Sequence, residues 1–195
     1  MSRRLLVVLI ATLTINTGTA GCTMATEAVI TTYGERNPQA PDELKLFSFL
    51  VGKWNGTGKT RLADASHVQW EGATWIGRYI LNGMAIADEF HSLAPDGKPY
   101  LGISLRHFDA KHDSWIIEYL NVSNSFLRRQ VNPQAGSVSV DADTIVIISE
   151  DAQTRIREYY RVTDQNHFTY STDKSDDGGR TWDPVLVEMT MTRVD

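Results

Sequence analysis

Between Thr154 and Val162 the chain alternates strictly: Thr154, Ile156, Glu158, Tyr160 and Val162 fall on one parity, Arg155, Arg157, Tyr159 and Arg161 on the other. A period of two is that of a half-buried strand, whose successive side chains point to opposite faces. The arginine parity is expected to face solvent. Val185 to Arg193 repeats the pattern, with Val185, Val187, Met189 and Met191 as the inward set. Similar short runs fill the chain from Trp54 onward: Trp54–Arg61, His67–Gly77, Tyr79–Phe90, Tyr100–Phe108, Ser114–Asn121, Ser125–Val131, Val138–Val140, Thr144–Ser149, Arg155–Thr163, His167–Lys174 and Trp182–Val194. The breaks carry turn residues, including Pro95-Asp96-Gly97-Lys98, Asp109 to Asp113, Asn132-Pro133, Asp141-Ala-Asp143, Asp164-Gln-Asn166 and Asp176-Asp-Gly-Gly179. Many short strands joined by tight connections predict an all-β fold, either an up-and-down barrel or a sandwich. A closed meander of about ten antiparallel strands leaves no long exposed edge and is the preferred expectation.

One helical segment precedes the strands. Pro41-Asp42-Glu43 suits a helix start, with Pro in the first turn and two carboxylates on the positive end of the dipole. Leu44, Phe47 and Val51 are expected on one face, with Leu46 and Leu50 beside them, and Gly52 ends it. Before it, Thr23 to Ala40 is polar, mixed and without period, the character of a tether.

The first residues have a different pattern. Arg3 and Arg4 precede an apolar run from Leu5 to Ile15, and small residues follow as far as Thr19-Ala20-Gly21-Cys22. As a helix the run would measure about 16 Å, roughly half of a bilayer's hydrocarbon core, which is the pattern of a signal peptide and not of a membrane span. Residues 19 to 22 resemble the lipobox of bacterial lipoproteins, although Thr19 stands where Leu is usual. That resemblance implies acylation of Cys22 as the new N-terminus, anchoring through its acyl chains, and, with Thr23 next, sorting to the outer membrane facing the periplasm. An ordinary signal cut a few residues later, after Ala25 for instance, would leave a soluble periplasmic protein. The resulting division is a signal peptide over 1–21, a lipidated N-terminus and tether over 22–40, and a β-barrel domain over 41–195.

Composition agrees with one folded unit: 195 residues, 42% apolar, and one cysteine, which excludes an internal disulfide framework. Without Arg3 and Arg4 the 19 basic residues become 17 against 24 acidic, a net charge of about −7. A surface of that sign repels phosphates, so nucleic acid is not an expected partner.

Gly52-Lys-Trp54-Asn-Gly56-Thr-Gly58 opens the first strand with the pattern G-x-W-x-G-x-G, and Arg193 lies three positions from the end. The pattern resembles the opening of calycins, the superfamily of lipocalins, fatty-acid-binding proteins and related bacterial barrels. With Phe47 upstream and Ser175-Asp-Asp177-Gly-Gly-Arg-Thr181-Trp182 before the last strand, the chain is similar over about residues 43 to 194 to a bacterial lipocalin-like domain family of unknown function. The resemblance implies that the helix plugs one barrel end, that Trp54 fills that end, that Gly52 and Gly56 let strands approach and bend, and that Arg193 lies over the Trp54 ring. Nitrobindin-like haem barrels open in the same way but carry an inward His on their C-terminal strands. Trp182 to Asp195 contains no His, so no haem or other cofactor is expected. No metal site is expected either, because no H-x-H, H-x-x-E-H or Cys-containing cluster occurs. Ser175 to Trp182 also matches the Asp-box hairpin, a structural turn in which Ser and Asp side chains bond turn amides.

Polar residues on apolar strands are the candidate chemistry: Arg106 with His107, Glu118 between Ile116 and Leu120, Glu158 between Ile156 and Tyr160, and Glu89 with His91. A carboxylate inside a barrel is costly unless paired, and Arg106 is a natural partner for Glu118 or Glu158. Trp75, Arg106, Tyr119, Glu158 and Tyr160 are the expected ligand-binding residues, drawn from an aromatic stock that includes Trp70, Tyr79 and Trp115. Glu158, Glu118 and His107 are the candidates for proton transfer. Three functions stay open: sequestration of a small hydrophobic or amphipathic molecule, a lyase or isomerase acting on a hydrophobic substrate, and a scaffold with a filled barrel whose arginine face, Arg155, Arg157 and Arg161, meets an acidic partner or lipid headgroups.

Overall fold

The computed structural model describes residues 29–94, 97–121, 126–132, 138–149 and 154–194. The apolar run, Cys22, the Pro95-Asp96 part of one expected turn and the connection beginning at Pro133 lie outside the described residues. Eleven strands follow one short helix: β1 (Gly52–Arg61), β2 (His67–Ile80), β3 (Ala85–Leu93), β4 (Pro99–Asp109), β5 (Ser114–Asn121), β6 (Phe126–Asn132), β7 (Val138–Asp141), β8 (Thr144–Ile148), β9 (Arg155–Asp164), β10 (His167–Ser175) and β11 (Asp183–Arg193). Every neighbouring pair is antiparallel, and the order β6-β5-β4-β3-β2-β1-β11-β10-β9-β8-β7 makes a meander in which the last strand pairs with the first. It curls into a nearly closed barrel, as the alternation predicts. The long hairpin between β2 and β3 turns at Leu81 to Met84, not at Arg78 as expected. Leu81 and Asn82 take positive φ there, 50° and 55°, and tertiary contacts hold the turn: Asn82 accepts a bond from the Thr31 amide and donates one to the Val29 carbonyl.

The helix is 3₁₀ over Asp42–Leu50, and Leu44, Phe47 and Leu50 are its buried residues. Their spacing of three matches three residues per turn, so the buried face runs through Leu50 and not through Val51 as an α-helical period would have it. This face plugs the barrel. Trp54 is buried against it, its indole N–H bonding the Leu50 carbonyl at 3.3 Å and its ring meeting Phe168 edge-on at 4.8 Å. The Arg193 guanidinium lies 4.1 Å from the Trp54 ring centroid and donates to the carbonyls of Val51 (2.8 Å) and Phe49 (3.1 Å). One arginine thus ties the last strand, the first strand and the plug together. Gly52 has φ 117°, which turns the chain sharply from plug to strand. At Gly56 a β-carbon would collide with the Met191 sulfur and the Thr190 carbonyl, so the glycine is what lets Met191 enter the core.

The expected tether is docked over its second half. Gly34 bridges Tyr79, and the buried Asn37 donates to the Val29 carbonyl (2.9 Å) while its own amide bonds the Gly83 carbonyl (3.2 Å). Residues 29 to 40 therefore belong to the folded unit and cover its plugged end.

The Asp-box hairpin forms as expected. Asp177 accepts from the amides of Arg180 and Thr181 at 2.9 Å each and from the Thr181 hydroxyl at 2.7 Å, and these bonds hold its carboxyl well below the usual carboxylate range. Its consequence differs from the expectation of a solvated arginine face. Trp182 covers Arg157, whose guanidinium is 4.1 Å from the indole centroid and 2.7 Å from Asp173. Asp173 also accepts from the Tyr159 hydroxyl (2.9 Å) and the Val185 amide (3.1 Å). Burial pushes the Tyr159 hydroxyl up to about 12, with the bond to Asp173 acting in the same direction. Burial alone would raise Asp173, but the bonds from Arg157, Val185 and Tyr159 together hold it below its ordinary value of 3.8. A depressed carboxylate stabilises the fold fully above its unfolded pKa and loses that contribution as pH falls through the unfolded and then the folded value. Asp173→Asn is therefore expected to flatten the decline of the urea midpoint as pH falls below about 4. An unchanged acid limb would show that the cluster adds nothing to acid stability.

Candidate functional site

Inside the barrel the inward sides of β1 to β5 and of β9, β10 and β11 surround a cavity of about 300 Å³ that opens at the end away from the helix. Thr60, Trp70, Leu93 and Leu186, from strand ends remote from the plug, form its mouth. Trp75, Phe90 and Tyr170 make its walls, with Phe90 and Tyr170 edge-on to Trp75 at 5.4 and 5.7 Å. A filled barrel is therefore not what this sequence builds.

A buried polar chain forms the floor. Asp88 is ion-paired with Arg106, both about 1% exposed, and its other oxygen accepts the Trp75 indole N–H at 2.8 Å. Arg106 donates to the Tyr160 hydroxyl at 3.0 Å, and that hydroxyl donates to Glu158 at 3.2 Å. Burial pushes the Tyr160 hydroxyl far up, the Glu158 charge adds to this and Arg106 opposes it, so Tyr160 is a neutral donor at physiological pH. Arg106 also lies 5.2 Å from the Phe47 ring centroid, linking floor and plug. It is beneath the cavity and not on its wall.

Five residues expected to bind a ligand thus converge, four on the wall: Trp75, Tyr119, Glu158 and Tyr160, with Arg106 behind them. Tyr119 faces the cavity with its hydroxyl 2.8 Å from that of Tyr100. Two proton-transfer candidates do not join them. Glu118 is on the outer parity of β5, opposite the exposed Leu105, so it is no partner for Arg106. His107 is on the outer parity of β4, with its ring nitrogen 3.2 Å from the Met84 carbonyl. The neighbouring Arg106 takes the inward position, and in a strand two adjacent residues cannot both face in. Glu89 and His91 are outer-face residues in the same way, 3.6 Å apart and half exposed.

Asp88 was not among the expected residues. Its signal is the parity Ile86, Asp88, Phe90, which places a carboxylate between two apolar inward positions, whereas Glu89 and His91 next to it attract notice only by their chemistry. Thr172 is the second omission. It is cross-strand from Glu158, buried, on the cavity wall, and its hydroxyl has no hydrogen-bond partner among the described residues. No group of three or more His, Cys, Asp or Glu side chains that could hold a metal ion occurs among the described residues.

A family model described as "Protein of unknown function (DUF1579)" matches residues 39–193, nearly all of the described barrel. The chain belongs to this family. The barrel is similar to the crystal structure of Rv2717c from M. tuberculosis, with 14% identity, a TM-score of 0.55, and coverage of 80% of this chain and 99% of that one. It is also similar to an S-type phycobiliprotein lyase, CPES, from Guillardia theta, with 8% identity, a TM-score of 0.53, and coverage of 77% and 92%. Identities this low carry the fold alone. No curated protein matches the chain in sequence.

Proposed function

We propose that the protein is a cell-envelope lipoprotein whose barrel sequesters a small hydrophobic or amphipathic molecule. The observation that carries the binding half of this reading is the open, aromatic-walled cavity of about 300 Å³ above a buried polar floor. Its volume is at the lower end of ligand pockets, about 300–1,000 Å³, and its chemistry is theirs: apolar walls with a few placed polar groups. Titration with the fluorescent probe N-phenyl-1-naphthylamine is expected to give saturable enhancement in the wild type. Ser104→Trp, which fills the cavity from β4, is expected to abolish it while leaving the thermal midpoint within a few degrees. Equal enhancement in both proteins would put the probe elsewhere and remove the cavity from the function.

The envelope half of the reading is supported by the N-terminal pattern and by the path of the chain. The described chain begins at Val29, at the plugged end, seven positions after Cys22 and so within about 25 Å of it when extended. Acyl chains on Cys22 would hold the plugged end toward the membrane and leave the mouth open to the periplasm. Native mass spectrometry of the protein extracted from its own membrane tests both halves, because acylation at Cys22 and a co-purifying ligand each add mass. An unacylated chain cut after Ala25 would make this a soluble periplasmic protein.

A further inference from the structure

We propose that the barrel itself seats on the membrane through an apolar edge of its plugged end, formed by Val29, Ile30, Tyr33 and Leu81, which packs into the lipid head-group layer. The inference rests on the reading of the protein as a lipoprotein and adds the surface that meets the bilayer.

Among the described residues the three most exposed large apolar side chains are Ile30 (81%), Tyr33 (78%) and Leu81 (73%), ahead of Val140 at 57%. Single exposed apolar residues are ordinary, whereas a cluster marks a contact surface. Here they cluster on one edge. The Asn82 side chain accepts a bond from the Thr31 amide at 2.8 Å and donates one to the Val29 carbonyl at 2.7 Å. Ile30 therefore lies between two residues held on the turn between β2 and β3, and Leu81 adjoins the residue that holds them. Gly34, directly after Tyr33, bridges Tyr79 in the same hairpin. Leu81 is also not what the turn requires. Leu81, Asn82 and Gly83 have φ of 50°, 55° and 75°, a conformation that suits Asn and Gly and strains a leucine. A leucine that is both strained and exposed adds little to the fold, which points to a contact outside it.

The path of the chain and the chemistry of the edge name a bilayer as its occupant. Val29, seven positions after Cys22, belongs to this edge, so acyl chains on Cys22 would bring the edge against lipid before any other part of the barrel. Tyrosine joins an apolar ring to a polar tip, which suits the boundary between head groups and acyl chains, and aliphatic side chains beside it gain burial there. The other turns at this end are acidic, with Asp109 and Asp113 between β4 and β5, Asp141 and Asp143 between β7 and β8, and Asp164 between β9 and β10. Lipid phosphates repel these carboxylates. The contact is therefore restricted to the edge at the β2–β3 turn, and the barrel sits tilted with its acidic turns in water.

The test uses the full chain, processed in its own membrane, purified and reconstituted in vesicles of phosphatidylethanolamine and phosphatidylglycerol. A nitrobenzoxadiazole maleimide, whose emission reports local polarity, is attached to one introduced cysteine at a time: Tyr33→Cys on the edge, Gln165→Cys in an acidic turn or Leu93→Cys at the mouth. Acylation leaves Cys22 without a free thiol, and the mass of the wild-type chain reports it; a free Cys22 is replaced by Ser before labelling. The Tyr33 label is expected to shift to the blue and gain intensity several-fold, while the Gln165 and Leu93 labels emit as in water. Ile30→Asn with Leu81→Asn is expected to return the Tyr33 label to its aqueous emission and leave the thermal midpoint within a few degrees, because Asn suits the left-handed turn position. An acylated chain whose Tyr33 label emits like the Leu93 label overturns this inference and leaves the lipoprotein reading standing. A Tyr33 shift that grows with the ratio of protein to lipid means that a second copy covers the edge, and this also overturns the inference. An unacylated wild-type chain overturns the lipoprotein reading. If the Tyr33 label still shifts when that chain is added to the vesicles, the membrane seat stands without it; if the label does not shift, both fall.

Discussion

Replacing Arg106 by Met is expected to lower the stability of the barrel by about 3–5 kcal/mol, read as a fall in the urea midpoint followed by tryptophan fluorescence. The guanidinium is 1% exposed and is the ion-pair partner of the equally buried Asp88, so its removal leaves a carboxylate in the core with, among the described residues, the Trp75 indole N–H as its hydrogen-bond donor. It also takes a charged donor from Tyr160 and the packing of the guanidinium near Phe47. Folded domains are stable by only about 5–15 kcal/mol, so the variant is expected to be marginal. Most of the loss is the cost of an isolated buried charge and not the worth of the pair. The double variant Arg106→Met with Asp88→Asn should therefore be more stable than Arg106→Met alone. A single variant within 1 kcal/mol of wild type would mean that water or another cation reaches Asp88 in solution.

Trp54→Ala carries the second large effect, about 3–5 kcal/mol. The indole is 1% exposed, packs against Phe168, bonds the Leu50 carbonyl and lies under Arg193. Its loss opens a void beneath the plug where strand and helix cannot easily collapse, because Arg193 still holds the carbonyls of Val51 and Phe49. A double-mutant cycle with Arg193→Ala is expected to give a coupling of about 0.5–2 kcal/mol, the cation–π share of the contact. Coupling near zero would make Arg193 a clamp on backbone carbonyls only. The cavity wall is on the far side of Trp75, so probe binding should outlast the loss of stability at low temperature.

The strands were legible because they obey one local rule. A residue's parity in β9 or β11 follows from its neighbours two positions away, and Tyr160, Met189 and Met191 face inward as their alternation requires. The Gly52–Trp54–Gly56 opening and Arg193 were legible as a pair through the resemblance to calycins, and each has a physical reason at the end of a barrel: a sharp turn, a filled bottom, a close strand crossing and a cation over the ring. Parity was harder to read in β3, β4 and β5. Apolar residues occupy both faces there, as with Ile116 and Ile117, so Glu118 and His107 could be counted inward on chemistry alone. The register settled them outward, because Arg106 and Tyr119 already hold the inward positions beside them.

The period of the helix is a similar case. Leu44, Phe47 and Val51 fit an α-helix, and the tighter 3₁₀ turn that buries Leu50 depends on the space left by the barrel end and by Trp54. The arginine parity of β9 does face outward, but Trp182 and Asp173 arrive from the hairpin between β10 and β11 and turn Arg157 into a covered, paired residue.

By itself, then, the sequence determined the class of fold and the ends of most strands, since periodicity and turn chemistry act between near neighbours, while the plugged end and its Trp54–Arg193 contact were legible only through the resemblance to a family. The tertiary structure alone decided that the barrel is hollow, that Asp88 and not Glu118 or Glu158 neutralises Arg106, and that Thr172 faces Glu158 with an unused hydroxyl. Those facts depend on which strands meet across the lumen and in what register, and on how far side chains from eight strands reach into one space. No local pattern encodes such a sum.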